Sequence, residues 1–220
     1  MKKSKFYLSF TGMALLAITV IMISVTSCKK SEQTVTPAPP SNEFLTTVIL
    51  ECINKNAPYD TTISIWRDLT PNGSNLPDTS EAFLNFNKNS TYSSNVYILD
   101  ESKTVKDSLA YDTGKLVNKF NINKLPSTTV NVTTEIRARQ NYHLICFTMY
   151  GGILTNLSVV RDDYDNNSPP LQVGLIDTYT TLNPSTGRME VVLHHQPNVK
   201  NGDCSPGSID FDVTYSVTIH

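Results

Sequence analysis

The chain has 220 residues, with 18 basic against 20 acidic side chains and a formal net charge of -2. That length suits one domain plus extensions. The near-neutral balance argues against the basic patch or stripe that a nucleic-acid binder carries.

Taken from the N-terminus, the first thirty residues read as an export signal. Lys2, Lys3 and Lys5 form a positive n-region, and Met13 to Val25 is an apolar run broken only by Thr19 and Ser24. The segment Val25-Thr26-Ser27-Cys28 then resembles the lipobox of bacterial lipoproteins, whose cysteine thiol receives a diacylglyceryl group before cleavage. Val25 and Ser27 stand where Leu and Ala or Gly are usual. The competing readings are a plain secretory signal or an uncleaved anchor, because Phe6 to Val25 just reaches the ~20 residues a span needs. Ser9, Thr11, Gly12, Thr19 and Ser24 dilute that span. Two or three acyl chains on Cys28 would hold the protein permanently on a membrane, where one would not. The expected division is 1–27 as a removed signal peptide, 28–43 as lipidated Cys28 with a flexible linker, and 44–220 as one β domain. Residues 1–27 hold three basic and no acidic side chains, so the mature chain carries -5. Lys29 follows Cys28 where an aspartate would signal inner-membrane retention, so the expected location is the cell envelope, on the outer membrane.

Lys29 to Glu43 is polar, with Pro37, Pro39 and Pro40, as an extended tether would be. Beyond it the pattern turns to period two. Phe44, Val48, Leu50 and Cys52 share one parity; Ile63 and Ile65 share another, and Tyr92, Val96 and Ile98 follow. Residues 129–138 alternate Val130, Val132 and Ile136 against Asn131, Thr133 and Glu135. Tyr142 to Thr148 is apolar on both parities, as a central strand covered on both faces would be. Val105 to Leu125 fits either a short helix or another strand. Met189, Val191 and Leu193 face one way, and Ile209, Phe211, Val213, Tyr215, Val217 and Ile219 alternate with polar residues to the C-terminus. Turn residues separate these runs at 71–73, 166–170, 183–187 and through the 196–208 loop. The expected fold is all-β: an antiparallel β-sandwich, immunoglobulin-like or related, with about eight to ten strands.

Several blocks carry a family resemblance: EFLTTVIL, WRDLTPNGSN, NSTYSSNVYILDES, LSVVRDDYDNNSPPLQVGL, VVLHHQPNVK and FDVTYSVTI. Together they resemble a family of uncharacterised small lipoproteins of Gram-negative bacteria, sometimes labelled type 1 periplasmic-binding-domain proteins. The resemblance implies an exported lipoprotein working beside outer-membrane uptake systems, so an outer-membrane transporter is the expected partner besides the membrane itself. The label also implies a fold of alternating strands and helices, which the period-two pattern contradicts.

For chemistry, the chain lacks the spacing of a nucleophile elbow, a zinc-protease helix, a P-loop or a C-x-x-C pair, so no enzyme and no catalytic residue is expected. With Cys28 acylated, Cys52, Cys146 and Cys204 allow one disulfide and a leftover thiol, the pair unnamed; Cys52 and Cys146 sit in apolar runs as buried thiols would. Calcium is the candidate ion, through Asp163, Asp165 and Asn167 beside Asp162, because oxygen ligands at alternate loop positions suit it. The 68–73 segment has a weaker outline of the same kind. The alternative is that these residues cap their own turns. His194 and His195 are adjacent and so point to opposite strand faces, which prevents them from chelating one ion together. By parity His195 turns inward, as does His143 in its own strand. Trp66, Tyr92, Tyr97 and Tyr179 could form a sugar platform or simply core packing. The overall expectation is a membrane-anchored, non-catalytic binding or structural domain, with a receptor for a metal ion, haem or glycan as the alternative.

Overall fold

Alternating side chains fold the chain into two facing, mostly antiparallel sheets. The computed structural model describes residues 45–69, 76–101 and 130–220. The expectations for the export signal, Cys28, the tether, residues 105–125 and the 70–73 part of the second loop lie outside the described residues. The first sheet is built from β1 (Thr47–Asn54), β2 (Thr61–Arg67), β3 (Asp78–Glu81), β5 (Thr91–Asp100), β6 (Val130–Asn131), β8 (Leu157–Arg161) and β9 (Ile176–Thr181). Its order is β3-β2-β1-β5-β9-β8, with β6 pairing the far end of β5. The second sheet has β4 (Phe83–Phe86), β7 (His143–Gly151), β10 (Ser185–His195) and β11 (Ser208–Ile219), in the order β4-β11-β10-β7. The β4–β11 pair is parallel and the rest are antiparallel. All-β and sandwich therefore hold, with eleven strands among the described residues because β3 and β6 are short.

The core forms where the inner faces meet. Val48, Leu50, Tyr92, Val96 and Ile98 of the first sheet pack against Met189, Val191, Leu193, Val213, Tyr215 and Val217 of the second. Each such large side chain contributes roughly 1.5–3 kcal/mol by leaving water. Tyr215 Oη also crosses the gap and donates to the Val48 carbonyl at 2.8 Å.

Three expectations are corrected. Residues 132–138 form a helix, α1 (Val132–Ala138), rather than a strand. Val132 and Ile136 share a face under either period, and the helix is favoured by the Glu135–Arg139 pair at 2.8 Å and by Thr133 Oγ1 donating to the Ile98 carbonyl. Second, β7 is an edge strand, not a central one. Its apolar outer residues are covered because Cys146 is disulfide-bonded to Cys204 of the 196–207 loop, so Cys146 is not a free buried thiol. Its free edge is closed by Val173, whose carbonyl accepts from the Ile145 N–H at 2.7 Å, and by Arg161 Nε donating to the Ile145 carbonyl at 2.6 Å. Third, Ile209 leaves the core and is 58% exposed. Leu193 pairs with Phe211 but His194 pairs with Ile209, so Asp210 is an extra residue in a β-bulge.

Candidate binding cleft and the histidine pair beside it

One end of the sandwich gathers most of the polar architecture. It is formed where β7 begins, β10 ends and β11 begins, with the loops 162–175 and 196–207 folded over it. Carboxylates shape the first loop. Asp163 accepts the backbone N–H groups of Gly174 and Leu175 at 2.7 and 3.1 Å. Gly174 has φ +94°, and a Cβ there would lie 3.0 Å from the Ile145 carbonyl oxygen, so glycine lets this loop seat against β7. Asp165 Oδ1 accepts from the N–H groups of Asn167 and Leu171, both at 2.9 Å, while Asn167 Nδ2 and Lys200 Nζ each donate to Oδ2 at 2.8 Å.

The three residues expected to hold calcium thus face in two directions: Asp165 and Asn167 bond to each other, and Asp163 turns to the backbone of 174–175. The oxygens of Asp163 and Asp165 accept protein donors, as turn-capping residues do. Among the described residues, no three His, Cys, Asp or Glu side chains are placed to hold a metal ion. Burial works to raise the Asp165 carboxyl, but Lys200 and the two backbone donors overcome it and hold it below the ordinary range. At Lys200 burial prevails and draws the ammonium below the ordinary lysine range despite Asp165. The four donors on Asp165, and Lys200 Nζ donating also to the Gln140 carbonyl at 2.9 Å, favour the ionised pair at neutral pH, because each charge is met by hydrogen bonds as well as by its counterion.

The second loop is held by Gln196 and the disulfide. Gln196 N–H donates to the Tyr142 carbonyl at 2.6 Å, and its Nε2 donates to the carbonyls of Asp203 and Pro206 at 2.8 and 2.9 Å. Between the two loops opens a cleft of about 490 Å³ lined by Asn141, Tyr142, Asn167, Ser168, Pro169, Leu171, Asn198, Lys200 and Asn201. The Ser168–Pro169 peptide bond is cis. Of the expected ion ligands, Asn167 alone lines this cleft. Asn141, Asn198, Asn201 and Lys200 were hidden in the sequence among ordinary turn residues.

The histidines lie just behind. In the β7–β10 pairing His195 stands directly opposite His143, and their rings stack with centroids 5.0 Å apart and planes 17° apart. His143 Nδ1 lies 3.0 Å from the Arg139 carbonyl. A carbonyl can only accept, so Nδ1 carries the hydrogen and Nε2 presents a lone pair. Burial lowers the His143 imidazole to about 4, so it is neutral at physiological pH. Asp210, displaced by the bulge, places Oδ2 3.8 Å from His143 Nε2, and burial raises its carboxyl above the ordinary range. His194 turns to the other face of β10, with Nδ1 buried and without a hydrogen-bond partner.

The aromatic platform does not assemble. Tyr92 and Tyr179 are fully buried in the core and Trp66 packs partly against it, whereas Tyr97 lies on the opposite face with Ile49 and Leu99. Comparison with protein families, with curated proteins and with solved structures returns no match to the chain. The fold and the cleft therefore carry the functional argument unaided.

Proposed function

We propose that the protein is a lipid-anchored, non-catalytic binding module of the cell envelope, held at the outer membrane through Cys28 and serving a membrane partner such as a transporter. The observation that carries this reading is the Cys146–Cys204 disulfide. Disulfides persist in oxidising compartments and are rare where thiols are kept reduced, so the bond supports the export that the N-terminal segment calls for. The same bond secures the loop that walls the cleft, which suits a site that must keep its shape outside the cell. The test is labelling of growing cells with an alkyne-bearing fatty acid. Labelled protein in the outer-membrane fraction, lost on Cys28→Ser, is the expected result; unlabelled or soluble wild-type protein would overturn it.

The cleft favours a second reading, a receptor for a neutral polar ligand such as a glycan. Four asparagines line it, of which Asn141, Asn167 and Asn201 also bond within the loops, Tyr142 is 37% exposed at the cleft, and Lys200 is already neutralised by Asp165. Vicinal hydroxyls with an apolar ring face match that set, as pockets with few convergent polar groups select their ligands. Binding on a glycan array that disappears with Asn198→Ala and Tyr142→Ala would support it.

A further inference from the structure

We propose that Lys200 and Asn167 become joined by a side-chain amide bond, formed by the folded protein itself with Asp165 as the proton carrier. One carboxylate oxygen holds both reacting groups: Asp165 Oδ2 accepts from Lys200 Nζ and from Asn167 Nδ2, each at 2.8 Å. Two donors on one acceptor oxygen lie about 4–5 Å apart, and Asn167 Cγ, the carbon to be attacked, is one bond from Nδ2. The two residues belong to different loops, so only the folded chain assembles them, and such placement replaces a bimolecular encounter. The Asp165 side chain is fully buried and that of Lys200 is 2% exposed. Burial draws the Lys200 ammonium below the ordinary lysine range, the usual way in which a lysine amine is made nucleophilic. Nζ is also held by the Gln140 carbonyl at 2.9 Å, and the N–H groups of Asn167 and Leu171 fix the carboxylate through Oδ1.

The ion pair is the resting state, and the reaction runs through its neutral form. The ammonium proton passes along the 2.8 Å contact to Asp165, leaving a free amine beside a carboxylic acid. Nζ attacks Asn167 Cγ, a C–N bond forms, and the carbonyl electron pair moves onto Oδ1. The Asp165 acid, in contact with Nδ2, gives its proton to that nitrogen, which leaves as ammonia while the C=O re-forms. The surplus proton on the new amide nitrogen then passes through Asp165 to the ammonia. A lysine ammonium and an asparagine amide thus become a secondary amide and an ammonium ion; Asp165 ends as it began, and no oxidant or reductant takes part. Lys200 and Asn167 both line the cleft, so ammonia has an exit and its loss makes the step irreversible. A slow reaction suffices, because it happens once per molecule. The product ties the two cleft walls by a link that reductants do not cleave, beside the Cys146–Cys204 disulfide, and removes the lysine charge from the cleft.

The test is mass spectrometry of the full-length protein purified in detergent, reduced, alkylated and digested with trypsin. Arg161, Arg188 and Lys200 delimit the relevant peptides, and an amidated Lys200 is no longer cut. Residues 162–188 and 189–220 should therefore emerge joined, lighter than the two together by about 17 Da, the mass of ammonia. The joined pair should be absent from Lys200→Arg, from Asn167→Ala and from Asp165→Ala shown to be folded by circular dichroism. It should persist in Asn201→Ala, a change to a neighbouring cleft residue. Separate peptides 162–188, 189–200 and 201–220 from the wild type would overturn the proposal. So would a joined pair lighter by about 18 Da, the mass of water, since Asp165 would then be the acyl donor. A joined pair from folded Asp165→Ala would overturn the role given to that carboxylate. Because lipid attachment at Cys28 is read by fatty-acid labelling and ligand binding by the glycan array, failure here leaves both of those readings where they were.

Discussion

The two sheets offer unequal inner faces. In the second sheet the middle of the inner face is apolar: Met189, Val191 and Leu193 on β10, and Phe211, Val213, Tyr215, Val217 and Ile219 on β11, with His143 and His195 only at its loop end. In the first sheet an apolar face is crossed by one polar rung. Cys52 pairs with Ser94, Ser94 with Asp177, and Asp177 with Arg161, all on the inward parity. Asp177 is fully buried and neither of its oxygens has a hydrogen-bond partner. The neighbouring cation does not serve it, because Arg161 directs its nitrogens to the Ile145 carbonyl, Gln172 and the Cys204 sulfur. One inner face thus maximises burial, while the other gives up some stability to hold a polar line leading toward the loop end. Buried polar groups without partners carry a desolvation cost that an apolar rung would avoid.

Substitutions should separate these faces. Leu193→Ala empties a fully buried position in the apolar face, and thermal or denaturant unfolding should show a loss of about 2–5 kcal/mol. Replacing Cys146 and Cys204 together by Ser should cost about 2–4 kcal/mol, since the bond closes a loop with a sequence separation of 58. It should also loosen the cleft wall, seen as faster hydrogen exchange in 196–207. A double variant as stable as wild type would mean that the loop is held by Gln196 and Lys200 alone.

The polar rung makes stability depend on pH. Burial raises the Asp177 carboxyl to about 9, so the folded state keeps a proton that the unfolded chain releases at the ordinary carboxylate value of about 4. Its contribution is complete below that unfolded value and is lost as pH rises through about 9. His143, lowered by burial to about 4, works the other way below its ordinary value of about 6.5, so the melting temperature should fall chiefly between pH 7 and 9, and Asp177→Asn, which cannot ionise, should fall less. Parallel curves for the two proteins would show that Asp177 is not the responsible group. Cys52, raised to about 12 by burial, stays a thiol in the folded chain and adds slope of the same sign only as pH nears the ordinary thiol value of 9.0, where the unfolded chain begins to ionise.

The same asymmetry explains what was legible in the sequence. The second sheet advertises itself, because Phe211 to Ile219 alternate without interruption and Met189, Val191 and Leu193 answer them. What fails there is a property of pairing: the bulge at Asp210 is settled by the opposing strand, and no period in β11 alone expels Ile209. Val132 and Ile136 misled because a spacing of four satisfies both periods. Residues 162–167 were recognised as an oxygen-rich loop, but spacing does not say whether those oxygens meet backbone N–H groups or an ion. Adjacency in sequence sets His194 against His195, whereas the spatial neighbour of His195 is His143, which only the β7–β10 register reveals.

The smallest effect probes the join between the two faces. Tyr215 belongs to the apolar sheet, yet its hydroxyl reaches across and donates to the Val48 carbonyl in the other sheet at 2.8 Å. Burial raises that phenol well above its ordinary range, so it remains a donor at any pH the fold survives. Tyr215→Phe keeps the ring and its packing and removes one donor, leaving the carbonyl at the sheet interface without it. The expected loss is about 1 kcal/mol, the net worth of one buried hydrogen bond. It should show the same value at pH 5 and pH 8, in contrast to Asp177→Asn. A loss that grew with pH would mean that the hydroxyl is coupled to the Asp177 rung, and the two inner faces would then act as one electrostatic unit rather than as an apolar sheet set against a polar line.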